Sequence, residues 1–454
     1  MKVYNTLTRK KEEIKEKKLK AFVCGITCYD YAHIGHARSY ICFDVIIKFL
    51  RYLGKDVFYL QNITDIDDKI IERADKSKQP WDSISKEFAK AYLDDMKTLG
   101  VDSVDKYVLA TKYIKNIKSQ VQRLLDIGVA YKLDDGIYFE INKFPDYGKL
   151  SHQYQKDMKS GVRVEINKQK KHHGDFVLWK FRKQNEPFWP AKFGSGRPGW
   201  HIEDTAITEQ EFGPQYDLHG GGLDLIFPHH ESEIAQMESI SGRAPLVKYW
   251  LHNGFVLVDN VKMSKSLGNF WTIRDVLKEF SPRAVRHYCL SVHYHAPINY
   301  SKESLQHSEN TIKRLDDFVS RVRSANGKIS NVKPLIQKTE KAFTSSMEND
   351  FDTSGALSSL FGLIHDINKL VDESKLSKKN AQDVISFIKE INTVLGIFRL
   401  KEDTLSKNVR TLIKQRETAR NNKDFALADK IREKLKGLGI ILEDTKEGIR
   451  WKKL

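Results

Sequence analysis

Two short motifs carry the clearest chemical signal in the sequence. His33-Ile34-Gly35-His36 stands where a long helical pattern begins, and Lys262-Met263-Ser264-Lys265-Ser266 follows the last strand-like segment. Histidines three apart lie on one face of a helical turn, and the N–H groups and positive dipole end of a helix N-terminus favour phosphate there. A loop of Ser, Lys and Gly can close over a triphosphate and reopen for product. Each motif alone is also typical of an ordinary surface, but together, in this order, they predict a nucleotide site.

The segments around these motifs predict the start of a doubly wound α/β domain. Leu19–Gly25 is short and apolar, as a buried parallel strand should be. A helical pattern follows from about His33 to Leu53, with apolar residues four apart, and Asp56–Gln61 reads as the next strand. A strand, a crossover helix and a parallel strand place a ligand crevice at the carboxyl ends of the strands. Further strand-like segments are Gly199–Glu203, Tyr216–His219 and Trp250–Val258.

The pattern then predicts three regions. Residues 1–302 form the α/β domain, interrupted by an insertion at about 100–195. Residues 303–400 form a helical bundle, because Gly and Pro become rare and helical periodicity dominates. Residues 401–454 form a small C-terminal domain that ends in a hairpin over Gly439–Trp451.

The composition excludes several classes of protein. With 454 residues, 40% hydrophobic and 30% charged, the chain resembles neither a membrane protein nor a disordered one. The N-terminus is too charged for a signal peptide, and four cysteines are too few for a disulfide framework, which favours the cytoplasm. Cys42 and Cys289 lie in apolar helical patterns and are predicted to be inert core residues. The net charge of +16 fits a polyanionic partner or simply a lysine-rich proteome.

The two motifs, in this order, resemble the HIGH and KMSKS signatures of class I aminoacyl-tRNA synthetases. Longer segments resemble one family of that class, the cysteinyl-tRNA synthetases. These segments are CGITCYDYAHIGHARSY (24–40), NITDIDDKI (62–70), GRPGWHIE (196–203), DLHGGGLDLIFPHHESEIAQ (217–236), VKMSKSLGNF (261–270) and IKQRETARNNKDFALADKIREKLKGLGIILED (413–444). The resemblance spans nearly the whole chain. It implies an α/β fold with a Rossmann-like nucleotide-binding catalytic domain, an inserted connective region, an α-helical bundle and a small C-terminal anticodon-binding domain.

The resemblance implies activation of L-cysteine with ATP to cysteinyl-adenylate, and transfer of the cysteine to the 3′-terminal ribose of tRNA(Cys). An alternative is an ATP-dependent ligase that joins cysteine to a small amine on the same catalytic fold. That enzyme needs no basic anticodon-binding tail. A second alternative is a non-catalytic tRNA-binding paralogue, against which both intact motifs argue.

The ATP-binding residues follow from the same resemblance. Activation requires positioning and positive charge around the α-phosphorus and the leaving diphosphate rather than a covalent group. His33 and His36 are expected at the α-phosphate, with Lys262 and Lys265 over the β- and γ-phosphates. Further contacts to ATP, which is used with Mg²⁺, are expected from Gly25, Thr27, Gly222 and Asp224. The glycine run 220–222 lets adenosine approach the backbone, and the Asp224 carboxylate can accept from ribose hydroxyls.

Selectivity for cysteine is the harder problem, because serine differs by one heteroatom and pocket shape rarely rejects such a near-isostere. A zinc ion that takes the substrate sulfur as a ligand solves it. The family holds zinc with two cysteines, a histidine and a glutamate, which Cys24, His229 and Glu233 match here in part. The second cysteine is replaced by Asp204.

This departure leaves three interpretations open. Asp204 can itself be the fourth ligand, since a carboxylate is an accepted zinc ligand and keeps the formal charge. Cys28, four residues past Cys24, can instead turn in as the replacement ligand. Finally, the metal can be weakly bound or absent, with selectivity left to packing.

The remaining substrate contacts are expected around this metal site. Trp200 is expected to form the floor of the cysteine pocket, with Thr64 and Asp65 lining it beside Cys24 and His229. Asp67 and Asp68 are expected to cap the helix that follows them.

The basic C-terminal region predicts contact with tRNA. Residues 410–454 hold 13 Lys and Arg against 7 Asp and Glu, and such a surface neutralises phosphates without reading sequence. Arg416, Arg420 and Arg432 are candidate tRNA contacts, and Phe425 and Trp451 are candidates for stacking on splayed bases. By resemblance, the helices from 303 to 400 contact the tRNA stem, and the protein is a monomer with no membrane partner.

Overall fold

The computed structural model describes residues 1–153, 169–258, 260–263, 270–328, 331–401, 407–445 and 448–453. The chain divides into two compact units, Met1–Phe398 and Arg399–Leu454.

The strands are β1 (Lys2–Asn5), β2 (Lys10–Glu13), β3 (Lys18–Val23), β4 (Asp56–Ile63), β5 (Lys106–Leu109), β6 (Ala130–Lys132), β7 (Gly136–Phe139), β8 (Phe176–Phe181), β9 (Gly196–Pro198), β10 (Tyr216–Gly222), β11 (Val247–Asn253), β12 (Val256–Val258), β13 (Val261–Lys262), β14 (Ile298–Tyr300), β15 (Ile440–Thr445) and β16 (Gly448–Lys453). The helices are α1 (Ile34–Tyr52), α2 (Asp68–Ser77), α3 (Trp81–Thr98), α4 (Ile114–Asp126), α5 (His201–Phe212), α6 (Glu231–Ser241), α7 (Ile273–Leu277), α8 (Pro282–Leu290), α9 (Lys302–Ser324), α10 (Lys333–Glu348), α11 (Thr353–Asp372), α12 (Lys378–Leu395), α13 (Lys407–Asn421) and α14 (Phe425–Gly437).

A parallel sheet forms the centre of the first unit. Among the described residues its strand order is β11-β10-β3-β4-β5, and every neighbouring pair is parallel. The predicted strands that became β3 and β4 are therefore confirmed, as are the crossover helix α1 and the strand that contains Tyr216–His219. This order brings the carboxyl ends of β3, β4 and β10 together at one edge of the sheet. The predicted strand over Trp250–Val258 is instead two strands in different sheets, the end of β11 and β12, separated at Gly254, where the backbone packs closely against Ala296.

The packing and the ends of helix α1 explain why its sequence pattern predicted a helix. Its apolar residues at positions 41, 45 and 49 are all buried against the sheet and the neighbouring helices. The helix begins at His33, whose side chain caps it, and it ends just before Gly54, whose φ of +78° favours glycine. The two cysteines in helical patterns, Cys42 in α1 and Cys289 in α8, are buried as expected.

The expected strand over Gly199–Glu203 is wrong, because α5 begins at His201. This helix is buried along residues 201–208 and packs between α4 and α6. A short apolar run flanked by glycine has the same composition whether it forms a buried strand or the first turn of a buried helix. The pattern alone therefore could not separate the two.

The predicted insertion contains a second sheet. Strands β6, β7, β8 and β9 pair antiparallel in that order. Strand β5 also falls within the predicted bounds of about 100–195, yet it belongs to the central sheet and pairs with β4. The chain thus leaves the parallel sheet only after Leu109.

Asp67 and Asp68 behave differently at the start of α2. The Asp67 side chain accepts from the Lys69 amide at 2.9 Å and caps the helix, as expected. Asp68 does not cap; its carboxylate pairs with Lys180 and Arg197 of the second sheet. Burial raises the pKa of Asp68, but the two cations outweigh burial and lower this pKa to about 2.

The rest of the chain is mainly helical, as predicted. Helices α9 to α12 pack together in the first unit, and α12 also contacts α1. In the second unit α13 packs on α14, and α14 packs on the hairpin β15–β16, which confirms the predicted hairpin. The small core of this unit consists of Val409, Leu412, Ile431, Leu435, Ile440 and Leu442. Among the described residues, no helix combines the length and the apolar character needed to span a membrane.

Candidate active site

The loops that leave β3 and β4 are joined at the sheet edge. The Gly25 amide donates to the Asn62 side-chain oxygen at 2.6 Å, and the Cys24 amide donates to the Gly220 carbonyl at 3.1 Å. A Cβ at Gly25 would lie 1.6 Å from the Asn62 carbonyl oxygen, so only glycine fits. Thr27 continues the parallel pairing by bridging to Thr64. Predicted residues from distant segments of the chain therefore lie side by side at this edge of the sheet.

His33 and His36 lie at the N-terminus of α1, at the end of the loop that leaves β3. Each Nδ1 accepts from the backbone amide of the other residue, at 3.3 and 3.2 Å. The rings stack with centroids 3.6 Å apart. Since Nδ1 is an acceptor, a neutral ring carries its proton on Nε2, which makes both rings donors. A Cβ at Gly35 would lie 2.8 Å from the His33 ring, so the glycine makes this packing possible.

The second motif lies beside the first. A Cβ at Gly35 would be 3.7 Å from the Met263 Cε, and His33 forms a backbone bridge with Thr272. Lys262 belongs to the backbone of β13, but its side chain and the whole of Lys265 lie outside the described residues. The flanks of the lysine loop are thus adjacent to the histidine pair.

The glycine run of β10 is needed for packing within the protein. A Cβ at Gly220 would lie 2.3 Å from the Phe43 ring, and one at Gly221 would lie 2.8 Å from the His230 ring. Gly222 ends the strand, and a Cβ there would lie 2.6 Å from Asp224 Oδ1. Two of the three glycines therefore admit protein side chains, whereas Gly222 and Asp224 stand together at the open end of the strand.

Four predicted metal ligands come together in the interior of the protein. The ligand atoms of Cys24, Asp204, His229 and Glu233 lie within 4.8 Å of one another, and all four residues are buried. Asp204 Oδ2 is 3.3 Å from Cys24 Sγ and 3.0 Å from His229 Nε2. His229 Nε2 is also 3.2 Å from Glu233 Oε1, across one turn at the start of α6.

Cys24 and Glu233 of this cluster are disfavoured in their charged forms unless a cation is present. Burial, together with Asp204 and Glu233, raises the pKa of the Cys24 thiol, and burial with Asp204 raises the pKa of Glu233. Both Glu233 carboxylate oxygens are buried without a hydrogen bond, and among the described residues neither acid pairs with Lys or Arg. A thiolate, an imidazole and two carboxylates are the donor types that zinc accepts. The residues present therefore fit a zinc ion.

Two further histidines, His219 and His230, were missed from the sequence. Their Nε2 atoms lie 3.3 and 3.1 Å from Cys24 Sγ, and with Glu233 they form a second, overlapping set of possible ligands. Their Nδ1 atoms contact the Tyr216 hydroxyl and His252. Burial lowers the pKa of both rings, which therefore stay neutral at pH 7. Both stand in the 217–236 segment, but nothing in their spacing shows that they face Cys24.

The predicted substrate residues divide into two groups. The Trp200 indole is 40% exposed and stacks on the His229 ring at 4.2 Å, so it covers the cluster from the solvent side. Thr64 Oγ1 donates to Glu203 Oε2 at 2.9 Å. Asp65 instead accepts from the backbone and hydroxyl of Thr111, so its carboxylate is engaged there.

Cys28 does not join either set of possible ligands among the described residues. Its thiol is fully buried, with Sγ 4.0 Å from the Ile26 carbonyl oxygen. Burial and Asp65 raise the pKa of this thiol well above its usual range. Among the described residues, Asp204 and not Cys28 therefore lies with Cys24, His229 and Glu233.

The candidate tRNA residues of the second unit differ in exposure. Phe425 is 60% exposed, Arg420 is exposed, and the exposed Arg432 donates to the Leu442 carbonyl at 3.3 Å. Arg416 is only 3% exposed, and this burial does not fit the expected phosphate contact. Trp451 lies in the backbone of β16, but its side chain is outside the described residues.

Three family models match successive parts of the chain. Residues 10–310 match the class I (C) tRNA synthetase catalytic domain. Residues 342–399 match the DALR domain, and residues 402–451 match the cysteinyl-tRNA ligase anticodon binding domain.

Curated relatives match over almost the full length. The chain is 43% identical to a cysteine–tRNA ligase of Bacillus licheniformis, over 99% of this chain and 98% of that protein. It is 44% identical to a cysteine–tRNA ligase of Thermoplasma volcanium, over 99% of each chain.

Solved structures share the fold at low identity. A methionyl-tRNA synthetase of Mycobacterium tuberculosis with methionyl-adenylate has a TM-score of 0.64 and 16% identity, over 84% of this chain and 92% of that chain. A leucyl-tRNA synthetase of Agrobacterium radiobacter in a ternary complex has a TM-score of 0.62 and 10% identity, over 85% of this chain and 84% of that chain.

Proposed function

We propose roles for individual residues on the premise that this chain belongs to the cysteine–tRNA ligase family, as its catalytic-domain match and its full-length relatives show. The chain activates L-cysteine with ATP and charges tRNA(Cys) with the product. The observation that carries the residue roles is that the chain leaving β3 supplies both Cys24 of the buried cluster and the stacked His33–His36 pair at the start of α1.

The histidine pair acts on ATP. The cysteine carboxylate attacks the α-phosphorus in line, diphosphate leaves, and cysteinyl-adenylate forms. Nε2–H of His33 and of His36 donates to the α-phosphate oxygens as charge develops there, while Lys262 and Lys265 neutralise the β- and γ-phosphates with the Mg²⁺ that accompanies ATP. Gly25, Thr27, Gly222 and Asp224 contact the nucleotide. The donors are held in place before ATP binds, because each histidine fixes the ring of the other.

The buried cluster selects cysteine. Cys24, Asp204, His229 and Glu233 hold one zinc ion, and when bound this ion supplies a Lewis acid with affinity for the sulfur of cysteine. Asp204 takes the position that the family gives to its second cysteine. Trp200 covers the cysteine pocket by stacking on His229. Thr64 lines the pocket and is held in place by its hydrogen bond to Glu203. Asp65 orders the neighbouring turn through Thr111.

The rest of the chain binds tRNA. Residues 1–302 are the catalytic domain with its insertion at about 100–195, residues 303–400 contact the tRNA stem, and residues 401–454 bind the anticodon. In the last of these, Arg420, Phe425, Arg432 and Trp451 contact the tRNA, and Arg416 supports the fold of the domain. The protein is a cytoplasmic monomer, in keeping with its role in translation.

The alternative ligase, which joins cysteine to a small amine, has less support. The match of residues 402–451 to an anticodon binding domain favours tRNA as the acceptor. The intact motifs and the preorganised histidine pair likewise favour an active enzyme over a non-catalytic paralogue.

Two assays on the purified protein test this proposal. Exchange of labelled diphosphate into ATP should depend on cysteine and should be at least ~10²-fold less efficient with serine. Charging should then be measured with tRNA(Cys) transcript and with a small amine such as glucosamine as acceptor. Exchange without charging of tRNA, but with coupling to the amine, would establish the alternative ligase. Absence of cysteine-dependent exchange would refute the enzyme roles altogether.

A further inference from the structure

Asn62, at the carboxyl end of β4, connects the nucleotide loop to the metal cluster. Its side chain is buried, with 2% exposure. The side-chain oxygen accepts from the Gly25 amide at 2.6 Å, and the side-chain nitrogen donates to Asp204 Oδ1 at 2.6 Å. A backbone N–H can only donate, so it fixes which end of the Asn62 amide faces Gly25. The NH₂ group must therefore face Asp204.

This contact gives the two carboxylate oxygens of Asp204 different partners. Oδ1 accepts from Asn62, while Oδ2 is directed at Cys24 Sγ and His229 Nε2, at 3.3 and 3.0 Å. Asp204 is itself 2% exposed and stands on the first turn of α5, so its carboxylate has little freedom to turn. Of the two oxygens, Oδ2 is therefore the one that contacts Cys24 and His229.

The difference between cysteine and aspartate makes this arrangement necessary. A thiolate has one donor atom, whereas a carboxylate has two and can bind a metal ion through either or both. Replacing Cys by Asp thus keeps the charge but not the number of donor atoms. A hydrogen bond to one oxygen restores a single donor atom, and partners of this kind orient metal ligands and tune their affinity.

We propose that Asn62 is a positioning residue that holds Asp204 as a ligand through Oδ2 alone, and so adapts the zinc site to the loss of its second cysteine. The proposal rests on the proposed zinc site. The proposed role of Asn62 depends on the presence of Asp204. This dependence distinguishes the proposed role from general structural support of the loop after β3.

A double-mutant cycle tests the proposal. Zn²⁺ affinity of the full chain is measured by competition with a chromogenic chelator for the wild type, Asn62→Ala, Asp204→Cys and the double variant. Asn62→Ala should weaken Zn²⁺ binding by roughly 10–100-fold. In the Asp204→Cys background the same change should alter binding by less than about threefold, because the thiolate has no second donor atom to restrain. The contacts of Asn62 with the Gly25 amide and with Thr64 Oγ1 are lost in both backgrounds and cancel.

The visible absorption spectrum of the Co²⁺-loaded protein reports on metal coordination, which a loss of packing alone would not change. The Co²⁺-loaded wild type should show the intense visible bands of low coordination number, and Asn62→Ala should weaken them as the carboxylate chelates. Asn62→Ser is a second, polar variant, and the unfolding midpoint of each metal-free protein checks the fold. Equal losses of Zn²⁺ affinity in both backgrounds, or an unchanged cobalt spectrum, would overturn the proposal. A wild type that binds no Zn²⁺ would instead refute the zinc site on which it rests.

Discussion

His33 and His36 cap the N-terminus of α1 for each other. The His36 amide donates to His33 Nδ1 and the His33 amide donates to His36 Nδ1, while the two rings stack at 3.6 Å. These two reciprocal hydrogen bonds thus satisfy two helix-end amides and set the tautomer of both rings. The same atoms that stabilise the helix make the Nε2–H groups donors for phosphate.

Substitutions of His33 should separate these two effects. In His33→Asn the new side-chain oxygen can accept from the His36 amide, so stability should stay near that of the wild type. The Nε2–H donor is lost, however, and cysteine-dependent exchange should fall by ~10²-fold or more. His33→Ala should lose a similar amount of activity and also ~1 kcal/mol of stability, because the cap is lost as well. Exchange rates and urea unfolding of the three proteins check this, and wild-type exchange in His33→Asn would contradict the assigned role.

Substitutions at Asp204 should change both zinc and selectivity. The wild type should hold about one zinc ion per chain, measured by mass spectrometry of metals. Asp204→Ala should weaken zinc and reduce discrimination against serine, since sulfur affinity for the metal separates the substrates. Asp204→Cys should keep or tighten zinc and retain activity, because it restores a thiolate with the same formal charge.

Cys28→Ala is the matched control, because this buried thiol lies outside both sets of possible ligands among the described residues. It should leave zinc content and serine discrimination unchanged. If Cys28→Ala loses zinc while Asp204→Ala keeps it, the loop cysteine is the replacement ligand. If the wild type binds no zinc and still rejects serine, its selectivity must come from the pocket around Trp200 and Thr64.

Removal of the second unit should uncouple the two reactions. Deletion of residues 399–454 takes away one compact unit and leaves the other, which holds the candidate active site. Cysteine-dependent exchange should stay within about threefold of the wild type, whereas charging of tRNA(Cys) should fall by ~10²-fold or more, because the phosphate contacts of this unit are lost. A comparable loss of both activities would mean that the tail supports the catalytic fold instead.

The buried pair Asp44–Arg286 should contribute to stability in a pH-dependent way. Burial raises the pKa of Asp44, but Arg286 and Lys48 outweigh burial and hold this pKa below its usual range. A lowered pKa in the folded state means that the contribution is present above the ordinary value of ~3.9 and disappears as the pH falls through the folded value. Asp44→Asn leaves Arg286 buried without its partner and should cost ~3–5 kcal/mol at pH 7.

Urea unfolding at pH 7 and at progressively lower pH checks this expectation. Loss of stability on acidification should be smaller in Asp44→Asn than in the wild type. Asp102→Asn is the control, because Asp102 also pairs with Lys48 but is 76% exposed, and it should cost less than ~1 kcal/mol. Equal costs for the two variants would show that burial of the pair has no special effect.

The sequence correctly predicted the secondary-structure elements that depend on residues only a few positions apart. The crossover helix, the flanking strands and the C-terminal hairpin follow from apolar spacing and turn residues, which act over a few positions. The segment from Gly199 to Glu203 shows the limit, since five apolar-rich residues are too few to separate a strand from a helix. Burial of Arg416 was equally invisible, because an arginine on a helix does not reveal which face packs against the core.

The motifs alone predicted the family, the histidine and lysine signatures and three candidate metal ligands, Cys24, His229 and Glu233. They left the fourth position open between Asp204 and Cys28. Tertiary structure decided which atoms face one another. Asn62 and Asp204 are 142 positions apart, and His219 and His230 meet Cys24 across some 200 positions, at 195 and 206. Contacts over such separations arise because parallel strands bring their carboxyl ends to one edge, and no local pattern records which side chain then meets which.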